Sequence, residues 1–413
     1  MWAKLKNNLV LGIFIAFLGV VVGSIIWILL RVMDLGIDFV WQWIPEQLNI
    51  PFYGVIVCTM GGLLIGLLQK KFGSYPKELN VVMGEIKTGK RIPYNNLHII
   101  ALCALIPLIF GGSLGPEAGL TGVIAGLCYW LADRFKKTYA EVDELAQVGV
   151  AATLGVIFHA PLFGFVNDIE DENNTKGIPK NSKILLYFIA IFAGFGMFMF
   201  LSGIFGGGIG MGRFTSIKTG NGEWIAMIPL ALVGTLCGIL YPLFGVAVKK
   251  IVKPIEKRKI MLAVIGGLGL GIMGTLLPYT LFAGEHQMGE MMNSWQTFPI
   301  WILILTGVMK LFMINFCFET GWRGGNIFPI IFSGVCIGYS CAALFPMIDP
   351  TFCVAVVTAA VTGSIMRKPI AVVMLLMICF PLNAIIPMLI GAVIAASIPQ
   401  PKFCCPIAKI VKK

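Results

Sequence analysis

Charge is scarce in this sequence. Only 12% of its 413 residues are Asp, Glu, Lys or Arg, 58% are hydrophobic, and the mean hydropathy is +0.89. A soluble protein carries roughly twice that share of charge, so a water-soluble globular domain is excluded. Apolar/polar alternation is also missing. Most apolar runs are near ~20 residues, the length of a helix that crosses the hydrocarbon core, so the expected class is an all-α integral membrane protein. A cleavage site is lacking after the first apolar run, residues 9–30, which is too long for a removable leader and is kept as a membrane helix. The 11 cysteines are scattered, mostly inside apolar runs, and trace neither a disulfide frame nor a metal cluster; the adjacent Cys404-Cys405 leaves palmitoylation open. There is no Walker loop, HExxH, nucleophile elbow or metal-ligand spacing, so no enzyme, cofactor or metal is expected. Only a short basic tail follows the last apolar run, and a cytoplasmic regulatory domain with nucleotide control is not expected.

What is present is an excess of base and of helix breakers. The net charge is +11, with clusters at 4–6, 70–71, 77, 87–91, 249–259 and 402–413, between or beyond apolar runs. That is the distribution of the positive-inside rule, and it argues topology rather than nucleic-acid binding, with both termini cytoplasmic in a multi-pass plasma-membrane protein. The 49 glycines and 22 prolines point to broken, close-packed helices rather than a plain bundle.

The most informative break is Gly111-Gly112-Ser113-Leu114-Gly115-Pro116-Glu117-Ala118-Gly119, between apolar runs 99–110 and 120–131. The composition predicts a helix ending near Phe110, a bare-backbone loop, and a new helix opening near Pro116. At membrane depth such a break must be buried in protein or line a polar cavity, and its helix N-terminus is suited to an anion. Gly324-Gly325-Asn326-Ile327-Phe328-Pro329 repeats the pattern. Pro116 and Pro329 lie 213 positions apart, Pro161 and Pro369 208 apart. Corresponding breaks in two halves indicate a transporter-type repeat, here a single domain over 1–413 with halves 9–215 and 222–400 and a site between them.

These motifs make the sequence resemble the CLC family of chloride channels and proton-coupled chloride transporters. Gly112 to Pro116 resembles the family's Gly-(Lys/Arg)-Glu-Gly-Pro, and Gly325 to Pro329 its Gly-x-Phe-x-Pro. Phe158-His159-Ala160-Pro161-Leu162 resembles Phe-Asn-Ala-Pro-Leu. Gly73-Ser74-Tyr75-Pro76 resembles a shortened Gly-Ser-Gly-Ile-Pro, and Ser364-Ile365-Met366-Arg367-Lys368-Pro369 resembles Ser-Ile-Arg-Ala-Pro. The resemblance runs in order from residue 10 to residue 400. It implies many tilted and broken helices in two inverted-topology repeats, and a homodimer in the lipid bilayer with one pore per subunit. It also implies a chloride ion bound by Ser74, Gly112, Ser113, Leu114, Gly115, Pro116, Gly325, Asn326, Ile327, Phe328 and, in place of the family's tyrosine, Phe403.

The departures bear on mechanism. The family's gating glutamate falls on Leu114, which neither competes with chloride nor carries a proton. Glu117, three residues on, has two readings, a substitute gate or proton carrier and a first-turn acid that stabilises its own helix dipole; the second is preferred. The internal proton glutamate falls on Asp171, beside Glu170, and a solvated helix end is the preferred reading of that pair. His159 reads as structural, Glu285-His286 as a solvated loop rather than a pH-sensitive pair, and Arg323, Arg367 and Lys368 as vestibule charges or interface anchors. The expectation is a passive, voltage-gated-type chloride channel uncoupled from protons. The alternatives are a chloride/proton antiporter using Glu117 and a non-conducting scaffold or sensor plugged by Leu114.

Overall fold

Apolar runs of this length have one low-energy solution in lipid, which is to satisfy their backbone internally as helices. The computed structural model describes residues 2–48, 50–73, 75–77, 81–82, 84–85, 94, 96–134, 142–170, 181–208 and 211–400. Among them no strand forms beyond one isolated two-residue bridge.

The first half runs α1 (Trp2–Asp38, continued by a π-helical turn Phe39–Trp43 and Ile44–Gln47), α2 (Tyr53–Phe72), α3 (Leu97–Ile109), α4 (Glu117–Arg134), α5 (Val142–Ile157), α6 (Pro161–Ile169) and α7 (Asn181–Phe205). The second runs α8 (Asn221–Val252), α9 (Lys259–Leu276), α10 (Glu285–Ser294), α11 (Ile300–Glu319), α12 (Ile327–Leu344), α13 (Pro350–Met366), α14 (Pro369–Leu376) and α15 (Ile385–Ser397). Seven of these described helices are long and apolar enough to cross a membrane, and shorter apolar helices fill the space between them.

Helix pairs approach through glycine. On α2, Gly62 and Gly66 rest on the backbone of Ala263 and Ile260 in α9; on α9, Gly267 and Gly271 rest on the backbone of Cys58 and Val55 in α2. A Cβ at any of the four would overlap the facing chain. This is small-residue packing at a spacing of four, used reciprocally by corresponding helices of the two halves. At the centre, α12 and α13 are buried on every side over nearly their whole length, which explains why they show no polar face.

Three details of the backbone go beyond the apolar runs. The polar residues 285–294 form the regular helix α10, opened by Gly284 at φ +100°. Helix α12 begins at Ile327, so Pro329 lies inside its first turn whereas Pro116 precedes α4. Backbone equivalence therefore runs at an offset of 210, not the 213 that aligns the prolines. The interruption before Pro369 is only Arg367 and Lys368, because α13 continues through Met366.

Candidate anion site

The two breaks are built alike. Helix α3 stops where Gly111 takes φ +86° and Gly112 N–H returns to Pro107 O at 2.8 Å; α11 stops where Gly321 takes φ +91° and Trp322 N–H returns to Cys317 O at 2.8 Å. Both are Schellman endings, which need a left-handed residue that glycine supplies without strain. Each is followed by an extended stretch and a new helix.

The extended stretches meet. Gly115 N–H donates to Gly325 O at 2.9 Å, and Gly325 N–H donates to Gly115 O at 2.6 Å, in antiparallel sense. An antiparallel bridge between equivalent residues is the geometry that a local two-fold axis requires, as inverted repeats have. It brings the N-termini of α4 and α12 to one buried place. Residues 111–120 are all buried there.

Asn326, which precedes α12, does not cap it. Its Nδ2 instead donates to the Tyr241 hydroxyl at 3.0 Å. The Ile327 N–H is left to a group from the other half, and it donates to Glu117 Oε1 at 2.7 Å. The Glu117 carboxylate lies so close to Gly115 and Gly325 that a Cβ on either would overlap it. The side chain is fully buried, and its Oε2 has no hydrogen-bond partner among the described residues, as is also true of Ser113 Oγ. A helix N-terminus attracts negative charge, and here it holds a tethered one. Leu114 is 1% exposed and packs on Gly324, which has no side chain to displace it. Phe328 is fixed by the ring of Phe158, with centroids 4.9 Å apart.

Of the residues expected to bind the anion, Gly112, Ser113, Leu114, Gly115, Pro116, Gly325, Asn326, Ile327 and Phe328 thus lie along two crossing breaks. Ser74, Phe403 and Asp171 lie outside the described residues. The Glu117 carboxylate, in the first turn of α4, also reaches the first turn of the opposite helix. Glu170 ends α6 and is half-buried. Its carboxylate accepts from Ile370 N–H at 3.0 Å and Ala371 N–H at 2.6 Å, so it caps α14. His159 sits at φ +46° with its ring against the edges of Phe195 and Phe198, a structural place. Arg367 donates to Ile398 O and Ala396 O and so ties down the end of α15. The pair Glu285-His286 divides: Glu285 is buried, while half-exposed His286 pairs with Asp34 at 3.6 Å.

Sequence reasoning missed Lys310. It is fully buried in α11 and donates from Nζ to Tyr279 O at 3.1 Å, Leu281 O at 2.8 Å and Phe282 O at 2.7 Å, with Phe332 below it at 5.2 Å to the ring centroid. A lone lysine inside an apolar run is the available signal, since an intramembrane charge is a functional-site hypothesis by default.

Broken helices converging from two halves on a buried, anion-accepting helix N-terminus define a membrane transport protein of the anion-conducting kind. A sequence profile described as "Voltage gated chloride channel" matches residues 61–400, and the chain belongs to that family. It is 24% identical over 352 residues to a putative ion-transport protein, YfeO, of Escherichia fergusonii, covering 81% of this chain and 79% of that one; the YfeO of Shigella flexneri matches to the same extent. Its fold is that of a CLC-type fluoride/proton antiporter (TM-score 0.77, 18% identity, 97% of each chain). It also matches a slow cyanobacterial Cl−/H+ antiporter (TM-score 0.79, 17% identity, 98% of this chain and 97% of that one). The chain is accordingly a multi-pass integral membrane protein of an anion-transport family.

Proposed function

We propose that this protein exchanges a small anion, chloride in the first instance, for protons, and that the Glu117 carboxylate is both gate and proton carrier. The observation that carries this is the hydrogen bond from Ile327 N–H to Glu117 Oε1. An ionised carboxylate on those amides competes with any transported anion for the same donors. A neutral carboxyl group is held less strongly there, because the helix terminus favours negative charge. Protonation then releases the side chain and admits the anion, and deprotonation returns it. When the carboxyl takes its proton from one side and releases it to the other, the cycle couples anion movement to proton movement in the opposite direction.

The passive-channel reading rests on Leu114 alone. It loses its premise if a carboxylate reaches the site from position 117. The chain works as a homodimer with a pathway in each subunit and has both termini in the cytoplasm of a plasma-membrane protein. The orientation is supported by Lys70–Lys71 and Lys249–Lys250 at the ends of α2 and α8. In chloride-loaded vesicles, Glu117→Gln is expected to pass chloride at a rate that no longer varies with pH. A pH dependence unchanged from the parent protein overturns the assignment of Glu117.

A further inference from the structure

A gate that opens by protonation needs a route for the proton, and on that reading of Glu117 the structure holds a second buried carboxylate with no role assigned to it. Glu285 opens α10, a short polar helix outside the spans, and is 4% exposed. Its neighbour Gly284 backs onto α12 so closely that a Cβ there would stand 2.6 Å from Phe332 Cβ and Cγ. The segment leading to it is pinned from two sides. Phe282 N–H donates to Gly111 O at 3.2 Å, in the loop of the anion site, and Lys310 Nζ binds the carbonyls of Tyr279, Leu281 and Phe282. Glu285 is therefore held against the helix whose N-terminus receives Glu117.

Each of these carboxylates has one oxygen, Oε2, without a hydrogen-bond partner among the described residues. The charged groups acting on Glu285 are His286 on its own helix, Glu117 of α4, Asp34 of α1 and Lys310 of α11. With all three buried groups ionised, Glu117, Glu285 and Lys310 sum to one negative charge. A single proton shared by the carboxylates neutralises the cluster, which is the favoured state in a low-dielectric site. Burial pushes the Glu285 carboxyl up to about 7, so it exchanges a proton near neutrality. Next to it the His286 side chain is 53% exposed and pairs with Asp34 at 3.6 Å.

We propose that Glu285 is the proton-loading residue of this pathway, taking protons at the His286–Asp34 mouth and passing them to Glu117. In the transfer the O–H bond of the Glu285 carboxyl breaks and one forms on the Glu117 carboxylate. Glu285 is left ionised until water at the mouth returns a proton to it.

The test uses the full chain in vesicles with a chloride gradient, recording chloride and pH together. Glu285→Gln is expected to lower chloride-driven proton flux by about tenfold or more while chloride efflux stays within about threefold of the parent. Glu285→Asp, which keeps a titratable group, is expected to restore most of the proton flux with a displaced pH profile. Proton flux intact in Glu285→Gln but lost in Glu117→Gln overturns the role of Glu285 and leaves that of Glu117 standing. Proton flux absent from the parent protein overturns both. Should Glu285→Gln fail to fold, an unshifted pH profile in Glu285→Asp overturns the proposal on its own.

Discussion

Two residues carry opposite lessons. Leu114 occupies the position where the family resemblance expects a carboxylate, and Glu117, three places on, supplies one to the opposite helix. Restoring a carboxylate by Leu114→Glu is therefore expected not to restore anything. It places a second acid beside Glu117, in a spot where a 1%-exposed leucine packs on Gly324. A loss of about 3 kcal/mol or more is expected, because an unpaired buried charge is among the costliest of single changes; thermal unfolding in detergent measures it. His286 gives a pH signature. The Asp34 carboxylate, 3.6 Å away, holds its imidazolium above the ordinary histidine range. A pKa raised on folding contributes stability that is complete below the unfolded value, near ~6.5, and is lost as pH rises through the folded value. Melting temperature is expected to fall across that window in the parent protein and to fall less in His286→Gln.

At the scale of elements, the molecule is organised by where helices stop. The first stop was legible: Gly111 ends its glycine-poor helix and takes positive φ, as Gly321 does ahead of the second break. What each new helix start would meet was not legible, because the partners lie 210 positions apart and the Asn326 side chain turns away to Tyr241. The proline pair misled in the same region. Pro116 and Pro329 follow Gly-Gly pairs in sequence, yet the bridged glycines set the true register. Glu170 shows how an end of one helix completes another. It terminates α6 and supplies both bonds to the first amides of α14. Glu170→Ala is expected to cost about 1 kcal/mol, the usual value of a lost cap, seen as a lower melting temperature with chloride flux through the site retained.

For the whole molecule, composition gave the membrane class and motif order gave the family, since both are properties of long stretches that no single contact decides. The site was half legible. Its two glycine-rich breaks could be read, and its occupant could not, since occupancy is a tertiary fact. On the proposed reading, that occupant makes the protein a coupled exchanger rather than a passive pore. The direct measurement is simultaneous recording of chloride and pH in vesicles holding the parent protein, with valinomycin setting the potential. The account predicts that an outward chloride gradient drives protons inward against their own gradient. Chloride efflux with no accompanying proton movement would contradict it and return the protein to the passive channel that Leu114 first suggested.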